Sequence, residues 1–157
     1  MITMFTVDDA RSLAHRLHLG QTDKAGHPYT GHLERVASYV DQSWEHAVMA
    51  AWLHDSVEDT PVTAEGLSFN HQVPDPVVVA VTLLTRIRGV SADAYYARIR
   101  DHDLAREVKL ADLADNTDPH RLNTLDTVTS ERLLIKYGTA YAALGIDPSD
   151  GKRRRGR

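Results

Sequence analysis

The hydrophobic positions recur at helical spacing along almost the whole chain, in runs separated by turn-forming residues. Ala10, Leu13, Ala14 and Leu17 predict a first helix, opened by Thr6 with Asp9 in capping-box register and stopped near Gly20. Residues 21–31 hold glycines, Pro28 and polar side chains without a period, and read as a loop. Leu33, Val36, Ala37 and Val40 define a second helix over 32–40. A third, over 45–57, ends at Thr60-Pro61. Residues 63–67 make a short helical piece at most. Pro76 opens a fourth helix over 77–88; its valine run would also suit a buried strand, but its length and the lack of a partner strand favour helix. Ser91 caps a fifth over 92–100. The sixth, over 104–116, is apolar nearly all round and so belongs at the centre. Ser130 caps the last, over 131–144, which Gly145 closes. The expected fold class is all-α, a helical bundle.

With 157 residues, 42% of them hydrophobic and 25% charged, the chain suits one domain over residues 1–148 with a real core. Residues 149–157 read as a basic, flexible tail. There is no cysteine, which excludes disulfides and thiolate metal sites; any metal must rest on histidine and carboxylate. The longest apolar run, 77–84, is too short to span a bilayer, and residues 1–5 lack the features of a secretory signal. A cytoplasmic protein without membrane contact is expected. Net charge is −4 although five basic residues follow Gly151. So acidic a body argues against general nucleic-acid binding; self-association is left open.

Charge placement then changes the picture. The apolar run 47–53 leads straight into His54-Asp55, and Glu58-Asp59 follows. On an unbroken helix His54 lies over Glu58, and Asp55 over Asp59. Carboxylates at the end of a core segment need a cation or strong donors to stay ionised, and a divalent metal is the simplest such partner. Lys109, Asp112 and Asn116 share one face of the sixth helix. The polar residues on predicted core helices are thus His32, His54, Asp55 and Asp112. Singly, each is an ordinary buried polar group; together they offer two imidazoles and two carboxylates to one ion.

The order His32, then His54-Asp55, then Asp112 resembles the HD-domain metal-dependent phosphohydrolases. Within them, residues 20–32 (Gly20 to His32), the segment His54-Asp55-Ser56-Val57-Glu58-Asp59-Thr60, and Val108-Lys109-Leu110-Ala111-Asp112 with Asn116 resemble three motifs of the alarmone hydrolases. These are the hydrolase domain of RelA/SpoT proteins and the stand-alone small alarmone hydrolases. The resemblance spans about residues 10–144. It implies one Mn²⁺ held by His32, His54, Asp55 and Asp112, a site open to other divalent ions. It also implies catalytic roles for Glu58 and Asp59, and removal of the 3′-pyrophosphate of guanosine 3′,5′-bis(diphosphate)-type alarmones by metal-activated water. Lys24 and Asn116 fall where that family contacts nucleotide; Arg132, with Lys136 or Tyr137 a turn later, is a further substrate contact. Tyr29, from the loop, and Lys109, from its shared face with Asp112, complete the candidate substrate contacts. The sequence departs from the family at Asp23, where many members have arginine, and at Leu33, where proline is common. Other readings are an HD phosphohydrolase of another nucleotide and a non-catalytic module sensing metal or nucleotide.

Overall fold

A computed structural model describes residues 3–157. Among these the chain is all helical: α1 (Val7–Leu17), α2 (Thr30–Tyr39), α3 (Glu45–Leu53), α4 (Ser56–Asp59), α5 (Ala64–Phe69), α6 (Asp75–Leu84), α7 (Ala92–Arg100), α8 (Asp103–Asn116), α9 (Pro119–Leu122), α10 (Thr127–Leu144) and α11 (Ser149–Arg155). An isolated bridge between Thr22 and Pro28 pins the α1–α2 loop. The expected domain over 1–148 begins with two residues that lie outside the described ones. Among the described residues, no helix is long and apolar enough to cross a membrane.

Two helices form the centre. α3 is buried from Ala47 to Leu53 and packs against α1, α2, α6 and α8. α8 packs against α2, α3, α6, α7 and α11. Leu33, Leu53 and Leu113 are almost wholly removed from water, each worth about 1.5–3 kcal/mol of apolar burial. This pairing sets the polar residues of α2, α3 and α8 against one another.

Several ends differ from expectation. α3 stops at Leu53 rather than continuing to residue 57. His54 Nδ1 binds the Ala51 carbonyl at 2.7 Å and Ser56 Oγ donates to the Leu53 carbonyl at 2.6 Å. Side chains therefore satisfy carbonyls that a continuing helix would bond through its backbone. His54 and Asp55 lie in the turn before α4, so the expected stacking on one unbroken helix is replaced by a helix–turn–helix corner. α6 ends at Leu84, whose carbonyl accepts from Tyr95 Oη at 3.0 Å. α10 begins three residues before Ser130, because Asp126 caps it by accepting from Thr129 N at 2.8 Å. Gly145 takes a left-handed φ of 69° at its C-terminus, where an L side chain would be strained.

The expected flexible tail is instead α11, docked on α8. Arg154 is buried; it pairs with Glu107 through two bonds of 2.8 Å, with Asp150 at 2.7 Å, and donates to the Tyr39 carbonyl at 3.1 Å. Gly151 permits the docking, since a Cβ there would sit 2.7 Å from Tyr141 Oη.

Candidate metal centre

His32, on the first turn of α2, His54 and Asp55, in the corner after α3, and Asp112, on α8, meet at the floor of a cavity of about 610 Å³. His32 Nε2 lies 3.0 Å from Asp112 Oδ1 and 3.8 Å from Asp55 Oδ2; His54 Nε2 lies 3.1 Å from Asp55 Oδ2 and 3.4 Å from Asp112 Oδ1. Both imidazoles use their other nitrogen elsewhere. His32 Nδ1 faces Asp115 Oδ2 at 2.6 Å, and His54 Nδ1 faces the Ala51 carbonyl at 2.7 Å. Each ring thereby turns Nε2 into the cluster.

The donor set fits a divalent cation. Buried His54 Nε2 forms no hydrogen bond despite its two carboxylate neighbours. His32, His54 and Asp112 bring ligand atoms within 4.8 Å of one another, and Asp55 Oδ2 lies 3.8 and 3.1 Å from the two imidazoles, His–carboxylate spacings that suit ligands about 2.1 Å from a shared ion. Without an ion, burial pulls the His54 imidazole down, but the Asp55 and Asp112 carboxylates outweigh it and hold the ring well above its usual value. Burial pushes Asp112 up, yet Lys109 and the two imidazoles hold it well below the ordinary carboxylate range.

Around this floor, Tyr29 Oη donates to Asp55 Oδ2. Its ring stacks on His18 at 5.3 Å between centroids, and His18 Nδ1 faces Gln21 Oε1 at 2.6 Å. Lys109 Nζ binds Asp112 Oδ2 at 3.0 Å, and Asn116 Nδ2 donates to Asp112 Oδ1 at 3.1 Å. Burial would lower the Lys109 ammonium, but Asp112 outweighs it and keeps the group charged. Glu58 and Asp59 stand at the rim; Glu58 Oε1 accepts from the Arg86 backbone N–H at 2.7 Å. Burial, then Asp55 and Glu58, push the Asp59 carboxyl up to about 6.

The cavity is lined by both acidic and basic side chains. Lys24, Arg86 and Lys136 all line it, and among the described residues none pairs with a carboxylate. The Arg86 guanidinium lies 4.1 Å over the Tyr95 ring and donates to Tyr96 Oη at 3.3 Å. Burial first, then the charges of Lys109, Lys24 and Arg86, lower the Lys136 ammonium.

The sequence-predicted contacts divide accordingly. Lys24, Tyr29, Lys109 and Asn116 line the cavity, whereas Arg132 is exposed on α10 outside its lining. Lys136 and Tyr137 of that helix face the cavity instead. Asp23 accepts from the backbone N–H groups of Ala25 and His27, both at 2.9 Å, and lies 3.8 Å from Arg121; it organises the loop. The residue that sequence reasoning missed is Asp115. Its signal was there: an acid three residues after Asp112 on a helix apolar nearly all round.

The molecule is an all-α bundle with a His/Asp cluster at its centre. No family model matches the chain. Over 129 residues it is 36% identical to the guanosine-3′,5′-bis(diphosphate) 3′-pyrophosphohydrolase of Haemophilus influenzae, covering 76% of this chain and 19% of that protein. Over 128 residues it is 31% identical to a protein of Synechocystis named probable guanosine-3′,5′-bis(diphosphate) 3′-pyrophosphohydrolase, covering 76% and 16% respectively. The chain therefore spans less than a fifth of the length of these relatives. Its fold matches a metazoan ortholog of SpoT that hydrolyzes ppGpp, with a TM-score of 0.74 at 20% identity over 99% of this chain and 94% of that one. By sequence and fold the chain resembles the HD-type alarmone hydrolases.

Proposed function

We propose that the chain is a metal-dependent phosphohydrolase that removes the 3′-pyrophosphate of guanosine 3′,5′-bis(diphosphate)-type alarmones in the cytoplasm. The observation that carries this reading is one cavity with two poles, a His/Asp cluster on its floor and cations without carboxylate partners on its wall. Such a pairing suits a substrate that places one phosphate group at the cluster and further phosphate charge against the wall. The names of the relatives support the same substrate class.

His32, His54, Asp55 and Asp112 would hold the ion, with Mn²⁺ favoured by the resemblance and by the nitrogen and oxygen donors. When bound, a divalent cation polarises a phosphoryl oxygen and lowers the pKa of water. Tyr29 fixes the Asp55 carboxylate, and Arg86 N–H fixes Glu58. Asp59, ionising near 6, is matched to accept a proton from the attacking water near neutral pH. Lys24, Arg86 and Lys136 would offset charge developing on the departing pyrophosphate. In the net reaction the water oxygen bonds to phosphorus, the phosphorus–ribose oxygen bond breaks, and a free 3′-hydroxyl and pyrophosphate result.

A second reading, hydrolysis of a different nucleotide, draws on Asp23. Its carboxylate is occupied with the loop and Arg121, so it offers a purine neither a stacking plane nor a positive charge. The test is phosphate and pyrophosphate release by Mn²⁺-loaded protein from guanosine tetraphosphate, its adenosine counterpart, NADPH, and nucleoside mono- and triphosphates. Pyrophosphate from the guanosine compound is the expected result. Turnover of another member alone would select the second reading. Binding without any turnover would leave a sensing module.

A further inference from the structure

Asp115 is fully shielded from solvent in the middle of the molecule and belongs to no group assigned above. Its Oδ2 faces His32 Nδ1 at 2.6 Å and accepts from Arg121 Nη1 at 2.7 Å. Its Oδ1 accepts from Arg35 Nε at 2.7 Å. A buried carboxylate needs such donors to remain ionised, and here two guanidinium groups from α2 and α9 supply them. The third donor is the imidazole. Because Asp115 is an acceptor, His32 must carry its proton on Nδ1, leaving the Nε2 lone pair directed at Asp55 and Asp112.

We infer that Asp115 is a positioning residue that orients His32, fixes its tautomer and strengthens it as a metal donor, with Arg35 and Arg121 holding the carboxylate in place. The inference rests on the metal-centre reading of His32, His54, Asp55 and Asp112. The same geometry has a plainer use, since Asp115 also ties α2, α8 and α9 together through its arginines. The two roles differ in one respect. A carboxylate acting through His32 matters for the ion only while His32 is present, whereas a tie between helices matters in any background.

The experiment is Mn²⁺ affinity of the full chain, measured by competition with a fluorescent chelator, for wild type, Asp115→Asn, Asp115→Glu, His32→Ala and the His32→Ala/Asp115→Asn double variant. Melting curves in excess chelator establish that each is folded. Loss of such a supporting partner weakens metal binding by about 10–100-fold, and Asp115→Asn is expected to fall in that range. Asp115→Glu, which keeps the charge, should recover part of the loss and stands in if the asparagine variant does not fold. In the His32→Ala background the Asp115→Asn change should alter affinity by less than about twofold, the mark of one residue acting through the other. Wild-type affinity in Asp115→Asn, or the same loss with and without His32, would overturn the inference and leave the metal centre standing. If wild type binds no divalent ion, the metal-centre reading falls and takes this inference with it.

Discussion

Asp59 occupies the rim of the cluster, but burial of its carboxyl and the nearby Asp55 and Glu58 carboxylates push it up to about 6. An unfolded aspartate titrates near 3.9. The folded chain therefore holds this proton more tightly, so its contribution to stability is present below about pH 4 and is lost as pH rises to about 6. Asp59→Asn removes that loss. In the metal-free protein at pH 7–8 the variant should be the more stable. With the shift discounted for solvent exposure, the gain is on the order of 1 kcal/mol, or about 2–4 °C in melting temperature. Near pH 4 the two should melt together. Superimposable melting temperatures from pH 4 to 8 would show that Asp59 is not perturbed. The same variant should slow turnover, so a residue that weakens the fold would be the one the reaction needs.

At the scale of elements, periodicity and caps made most of the bundle legible. The capping box of Thr6 and Asp9, the Ser91 cap of α7 and the centrality of α8 all followed from local chemistry. What escaped were features decided by distant partners. The break at His54 depends on side chains reaching back to the Ala51 and Leu53 carbonyls, which hydrophobic periodicity does not register. The residues gathered at the floor were legible because their types are rare on apolar helices. Lys136 was separable from Arg132 only once α10 had a fixed rotation. α11 escaped because five basic residues after Gly151 look like a solvated end until Glu107 is known to lie opposite. Its stability hangs on Arg154, buried between Glu107 and Asp150. Arg154→Ala would leave both carboxylates without that partner, an effect of roughly 3–5 kcal/mol for a buried pair. Urea unfolding measures it. Exposed Arg153→Ala is the control, expected to change stability by less than about 1 kcal/mol. Equal midpoints for both variants would mean that α11 is not docked as described.

For the whole molecule, charge is separated rather than merely summed. The net value is −4, so at long range the chain repels a polyphosphate. Within the cavity the sign is reversed along one wall, where Lys24, Arg86 and Lys136 face inward and the ammonium of Lys136 is lowered by burial and by its cationic neighbours. Mutual repulsion among uncompensated cations is relieved when an anion binds. Attraction of that kind is strong at short range and screened by salt, whose Debye length is about 10 Å at 0.1 M and about 3 Å at 1 M. Raising ionic strength should therefore raise KM for a bis(diphosphate) nucleotide by roughly tenfold between about 0.05 and 0.5 M while kcat changes little. Lys136→Ala, remote from the His/Asp floor, should raise KM at low salt and flatten its salt dependence, leaving Mn²⁺ affinity unaltered. Steady-state kinetics across ionic strength, with wild type and variant compared, measures both slopes. A KM independent of salt, or parallel slopes for the two proteins, would mean that Lys24, Arg86 and Lys136 do not hold the phosphates and that substrate charge is met at the cluster alone.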